Sequence, residues 1–150
     1  MNPVELNYAF STLFPDWTAL QNIAHNGAGR QLYAVGGSVR DAILNRPLTD
    51  LDLVCHARDM EHWEGHIAHF NGGHFFTLGK GDRITRRLVS HDCTFDLTPM
   101  DGDSITTDLK RRDFTINAMA LGLHDGSFHD PHHGLQALEQ HQLLCVSAKS

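Results

Sequence analysis

"YAVGGSVRDAILNRPLTDLDLV", Tyr33 to Val54, sets a short apolar run, a double glycine, a helical stretch and an alternating acidic run one after another. The apolar run, with Gln31 and Leu32 before it, reads as a buried strand. Gly36 and Gly37 read as a tight turn into a short helix from Ser38 to Leu44, with Ser38 as its N-cap. "TDLDLV" alternates polar and apolar, so Asp50 and Asp52 project from one face of a second strand while Leu51 and Leu53 enter the core. A strand, glycine turn, helix and strand in that order belong to an α+β domain.

The flanking sequence extends the same pattern. Residues 4 to 23 carry Leu6, Phe10, Leu13, Phe14, Trp17 and Leu20 at helical spacing, which predicts an amphipathic helix broken near Pro15. Arg58 to Phe70 predicts another helix through Met60, Trp63, Ile67 and Phe70. "HFFTL" and "RITRRLV" read as strands around a hairpin turn at Gly79 to Asp82, and "TFDLTPM" as a further alternating strand. Ser104 to Arg112 reads as a helix with Asp108 near its start and Lys110, Arg111 and Arg112 at its end, as the macrodipole favours. "INAMALGL" predicts a return to the sheet, His124 to Ser127 a hairpin, Gly134 to Gln140 a short helix, and "LLCV" a last strand. The expected architecture is α+β, a mixed sheet of about five or more strands with flanking helices.

The 150 residues suit one domain, with 1–30 as an N-terminal helical segment and 31–148 as the main unit. Twelve Lys and Arg against 18 Asp and Glu give a net charge of −6, which excludes a domain that holds nucleic acid by its overall field. Positive charge is concentrated instead in Lys80, Arg83, Arg86, Arg87, Lys110, Arg111 and Arg112. Three widely spaced cysteines without a C-x-x-C pair suit a reducing compartment, and the N-terminus has no signal-peptide pattern, so a cytoplasmic location is expected.

The chemistry-bearing residues cluster. Asp50 and Asp52 offer adjacent hard oxygen ligands of the kind Mg²⁺ takes together with substrate phosphates, although a solvated acidic strand face has the same pattern. Gly36 and Gly37 before a helix let backbone N–H groups approach a phosphate, and Arg40 adds a charge-assisted contact; a turn that needs glycine for its angles is the plainer alternative. Asp96 is a candidate third carboxylate, either a metal ligand or the acceptor of a hydroxyl proton, and otherwise a solvent-facing aspartate. Arg111 and Arg112 either complement a helix dipole or hold a triphosphate, and Asn117, at the base of the next strand, suits a ribose or base. His62, His66 and His69 fall near one helix face, but no cysteine or carboxylate is spaced to complete a tetrahedral zinc site.

Together, "VGGSVRDAIL", "DLDLV", "KRRDFTINAMA" and "DPHHGLQAL" resemble the head domain of class II tRNA nucleotidyltransferases and bacterial poly(A) polymerases, within the polymerase-beta-like nucleotidyltransferase superfamily. The resemblance runs from about Gln31 to Val146. It implies transfer of a nucleotide from CTP or ATP to an RNA 3′-hydroxyl, with Mg²⁺ or Mn²⁺ and a tRNA or other RNA 3′ end as substrate. By motif, Asp50 and Asp52 match the metal ligands and Asp96 the third acidic position. Gly36, Gly37, Ser38, Arg40, Arg111, Arg112, Asp113 and Asn117 fall in the nucleotide-binding motifs. It also implies a site on one edge of a sheet. Family members continue into helical neck, body and tail regions that select the base and hold the tRNA; this sequence stops at Ser150 and is expected to be a fragment.

Overall fold

A computed structural model describes residues 1–79, 84–91 and 93–147. The turn expected at Gly79 to Asp82 falls largely outside these residues, as do Lys80 and Arg83. Helix α1 (Pro3–Leu13) opens with a capping box: Asn2 Oδ1 accepts from the Glu5 N–H at 2.9 Å, and the Glu5 carboxylate accepts from the Asn2 N–H at 3.1 Å. Phe14 and Pro15 end it, and α2 (Trp17–His25) turns back so that Trp17 stacks on Phe10 with ring centroids 4.2 Å apart.

Seven strands form one mixed sheet in the order β3-β4-β5-β2-β1-β6-β7. They are β1 (Tyr33–Val35), β2 (Asp50–Cys55), β3 (Phe76–Leu78), β4 (Thr85–Val89), β5 (Thr94–Pro99), β6 (Ala120–Gly122) and β7 (Phe128–His129). β2 and β5 run parallel, with Asp52 opposite Asp96, and the other neighbouring pairs are antiparallel. The acidic strand is thus central, so the expected site on one edge of the sheet lies over its middle instead. Between strands come α3 (Gly37–Ile43), α4 (Met60–Asn71), α5 (Ile105–Lys110) and α6 (Gly134–Glu139).

The pleat sorts side chains onto two faces. Leu51, Leu53, Cys55, Phe95 and Leu97 join Leu6, Phe10, Phe14, Trp17, Trp63 and Ile67 in the main core, packed under α1, α2 and α4. Each large side chain buried there contributes about 2 kcal/mol relative to exposure. On the opposite face a smaller cluster of Tyr33, Val35, Val54, Met100, Ile105, Leu109 and Ala120 packs under α5. The large residues lie on the first face, so the second is covered only in part and leaves a cleft open over β1, β2 and β5.

Several local expectations are corrected. Ser38 is not the N-cap of α3: Gly36 holds that position, and Ser38 lies buried inside the helix with its hydroxyl turned to β2. Ile116 and Asn117 lie in a 3-10 turn (Thr115–Asn117), so Asn117 precedes the strand by a turn. "LLCV" forms no strand; Cys145 makes an isolated bridge to Phe114. In each case tertiary contacts override a local preference.

Candidate active site

The glycine turn is fixed from both sides. Gly36 has φ 63° and ψ −134°, a conformation open to glycine and costly for other residues. A Cβ there would stand 3.2 Å from Arg112 Nη1 and 3.7 Å from Asp52 Oδ2, so Gly36 also lets the turn lie close against both side chains. Ser38 staples α3 to β2: its Oγ accepts from the Asp52 N–H at 2.7 Å and donates to the Asp50 carbonyl at 3.3 Å.

Beneath the turn, Asp52 and Asp96 face the cleft side by side from the parallel strands. The Asp52 carboxyl is pushed up to about 6, first by burial and then by the Asp96 charge; Asp50 adds to the rise and Arg112 and Arg87 oppose it. Two carboxylates so placed repel unless a cation joins them, which is the donor chemistry of a divalent metal completed by substrate phosphates. Asp50, at the exposed start of β2, does not line the cleft. Among the described residues, no three His, Cys, Asp or Glu side chains are already grouped to hold a metal.

The arginines are individually held. Arg40 Nη1 donates to Asn117 Oδ1 at 2.8 Å and its Nε to Asp41 at 3.1 Å. Arg112 Nη2 donates to Asp108 Oδ2 at 3.0 Å, while its Nε is buried with no hydrogen-bond partner. Asp108, only 5% exposed, also accepts from the Asp101 N–H at 2.9 Å. Arg111 pairs with Asp101 at 2.8 Å and is well exposed. Arg86 points to the other face, to Glu64, and Arg87 forks onto Asp96.

Asp52, Asp96, Arg40, Asn117, Arg111, Arg112 and Asp108 line an open cleft of about 800 Å³, and Arg86 and Arg87 do not. Of the residues singled out in the sequence, Gly36, Gly37, Arg40, Asp52, Asp96, Arg111, Arg112, Asp113 and Asn117 line it, and Asp50 and Ser38 do not. The sequence reading missed two residues here. Asp108 reads from sequence as a dipole complement, and its spacing four residues before Arg112 on a helix marks the ion pair. Arg87 carried a signal in the alternation of β4, where Leu88 is buried and its neighbours face away. Its partner could not be read without the strand pairing.

Residues 32–144 match the family model described as the Poly A polymerase head domain. A CC-adding tRNA nucleotidyltransferase of Geobacter sulfurreducens is 37% identical over 126 residues, covering 83% of this chain and 28% of its own length. A CCA-adding enzyme of Pseudomonas entomophila is 35% identical over 128 residues, covering 78% and 33%. Among solved structures, the Thermotoga maritima CCA-adding enzyme complexed with tRNA superposes with a TM-score of 0.71 at 27% identity, over 87% of this chain and 32% of that one. An apo CCA-adding enzyme gives 0.76 at 25% identity, over 93% and 36%. The chain spans about a third of the length of these relatives.

Proposed function

Because the chain belongs to the Poly A polymerase head-domain family, we propose that it is the catalytic head of a tRNA nucleotidyltransferase, adding CMP or AMP from CTP or ATP to a tRNA 3′ end. The observation that carries this reading is the row formed by Asp52 and Asp96 on parallel strands directly under the Gly36 turn, with Arg40 and Arg112 beside it. Relatives described as CC-adding and CCA-adding enzymes, and one solved with tRNA, support the RNA end as acceptor.

In this reading the backbone of Gly36 and Gly37 and the guanidinium groups of Arg40 and Arg112 hold the triphosphate; the orphaned Arg112 Nε supplies a donor that a phosphate oxygen satisfies. Asn117, Arg111 and Asp113 contact the nucleoside portion. Asp52 and Asp96 would hold Mg²⁺, for which Mn²⁺ can substitute; Asp50, outside the cleft lining but on the same face of β2 two residues before Asp52 and with its charge felt there, would join them only by turning inward. The metal, when bound, lowers the pKa of the attacking hydroxyl and neutralises charge on the phosphates. The RNA 3′-oxygen forms a bond to the α-phosphorus, the bond from that phosphorus to the β-bridging oxygen breaks, and pyrophosphate leaves. Asp96 takes the hydroxyl proton.

The family model's own description keeps a second reading in view, an ATP-only poly(A) polymerase. Incorporation of labelled CTP and ATP, singly and together, into a tRNA transcript lacking its 3′ CCA separates the readings. Ordered, self-terminating addition supports the tRNA enzyme, and long ATP-only tails support the polymerase. Binding of ATP with Mg²⁺ but no incorporation marks a nucleotide-binding module that needs its helical partner region. Loss of all nucleotide and metal binding would sink the assignment.

A further inference from the structure

We propose that Arg87 is a positioning residue that serves as the resident cation of Asp96, so that a divalent cation enters the site by displacing it. This inference rests on the metal reading above. Arg87 and Asp96 stand directly opposite each other on β4 and β5, and Asp96 stands directly opposite Asp52 on β2. The guanidinium donates from Nε to Asp96 Oδ1 at 2.7 Å and from Nη2 to Oδ2 at 3.0 Å, a bidentate fork that engages both oxygens. Asp96 cannot present those same faces to a metal while the fork holds.

The other arginines nearby are otherwise engaged: Arg112 with Asp108, Arg111 with Asp101, Arg40 with Asn117 and Asp41, and Arg86 with Glu64 on the far face. Among the described residues, Arg87 is the cation hydrogen-bonded to the Asp52 and Asp96 pair. Its side chain is 38% exposed while that of Asp96 is 18% exposed, so the arginine can return to water while the carboxylate stays in the cleft. Two neighbouring carboxylates in one row repel, and the guanidinium offsets part of that repulsion in the metal-free site. Arg87 therefore neutralises Asp96 in the metal-free site and sets a threshold for loading: a weakly held cation does not displace a bidentate guanidinium, and a divalent ion that arrives with triphosphate oxygens does.

The test is Mn²⁺ binding to the nucleotide-free chain, read by the electron paramagnetic resonance of free Mn²⁺, in a double-mutant cycle. Arg87→Ala is expected to tighten Mn²⁺ binding about fivefold to tenfold in the native background and less than about twofold in the Asp96→Asn background. Arg87→Gln, which keeps the bulk of the side chain, should behave alike if Arg87→Ala fails to fold. Equal tightening in both backgrounds would reduce Arg87 to a long-range charge and overturn the inference. Unchanged or weaker binding would do the same. Asp52→Asn separates the two levels: if it leaves Mn²⁺ binding unaltered, the metal reading itself falls and this inference with it.

Discussion

Arg40 on α3 and Asn117 in the 3-10 turn before β6 are joined by a 2.8 Å hydrogen bond, Nη1 to Oδ1, across 77 residues of sequence. The bond aims a guanidinium into the cleft beside the glycine turn and uses the acceptor side of the amide, leaving the amide's N–H₂ to face a ligand.

Asn117→Ala removes that brace. It is expected to weaken ATP and CTP binding about tenfold, near 1.4 kcal/mol, with a melting temperature lowered by only a few degrees. Calorimetric titration of nucleotide alongside a thermal melt checks both; unaltered affinity would place Arg40 away from the ligand.

Asp52 makes a pH prediction with a defined sign. Its carboxyl sits near 6 in the folded protein, above the ordinary value of 3.8, so the folded state binds that proton more tightly than the unfolded state. The stability it contributes is full below about 4 and is lost as pH rises through 6. Asp52→Asn should therefore raise stability at pH 7.5 by about 2 kcal/mol and flatten the pH dependence between 4 and 6. Thermal melts from pH 4 to 8 measure this, and the same variant should abolish nucleotide transfer.

Gly36→Ala meets two obstacles, a positive φ and the nearby guanidinium of Arg112. A loss of about 1 to 3 kcal/mol in denaturant unfolding is expected, together with weaker triphosphate binding. Gly29→Ala shares the positive φ but has open space around it, so it should cost stability while sparing nucleotide affinity.

Asp108→Ala leaves the half-buried Asp101 N–H and the Arg112 guanidinium without their acceptor. A cost of about 2 to 4 kcal/mol is expected, and Asp108→Asn, which keeps one acceptor oxygen, should recover part of it. Urea midpoints for the two variants decide this, with nucleotide affinity following the same order.

The local pieces of the site were legible in the sequence because they obey short-range rules. Glycine before a helix, alternation at Asp50 and Asp52, the Pro15 break and the helix beginning at Ser104 all act within a few residues. What the sequence hid depends on pairings between distant segments. Ser38 looks like a cap and becomes a staple because β2 passes beside α3. Arg87 looks like one of a basic run and becomes the partner of Asp96 because β4 and β5 set them opposite each other. "LLCV" has strand composition, yet its pairing with residues 113 to 115 is confined to the Phe114 bridge and the two flanking hydrogen bonds, Thr115 N–H to the Leu144 carbonyl and Val146 N–H to the Asp113 carbonyl, too short for a strand.

The parallel pairing of β2 with β5 also governs when the site comes into being. The two strands are connected through α4 and the antiparallel pair β3 and β4, so their alignment closes a long loop, the step with the largest entropic demand and the highest contact order in this half of the sheet. Helices and neighbouring antiparallel strands need only local contacts, whereas Asp52 meets Asp96 only when that crossover docks. Chemical competence thus depends on a long-range pairing that the helices do not need, and on heating, inactivation is expected to run ahead of the loss of helical circular dichroism.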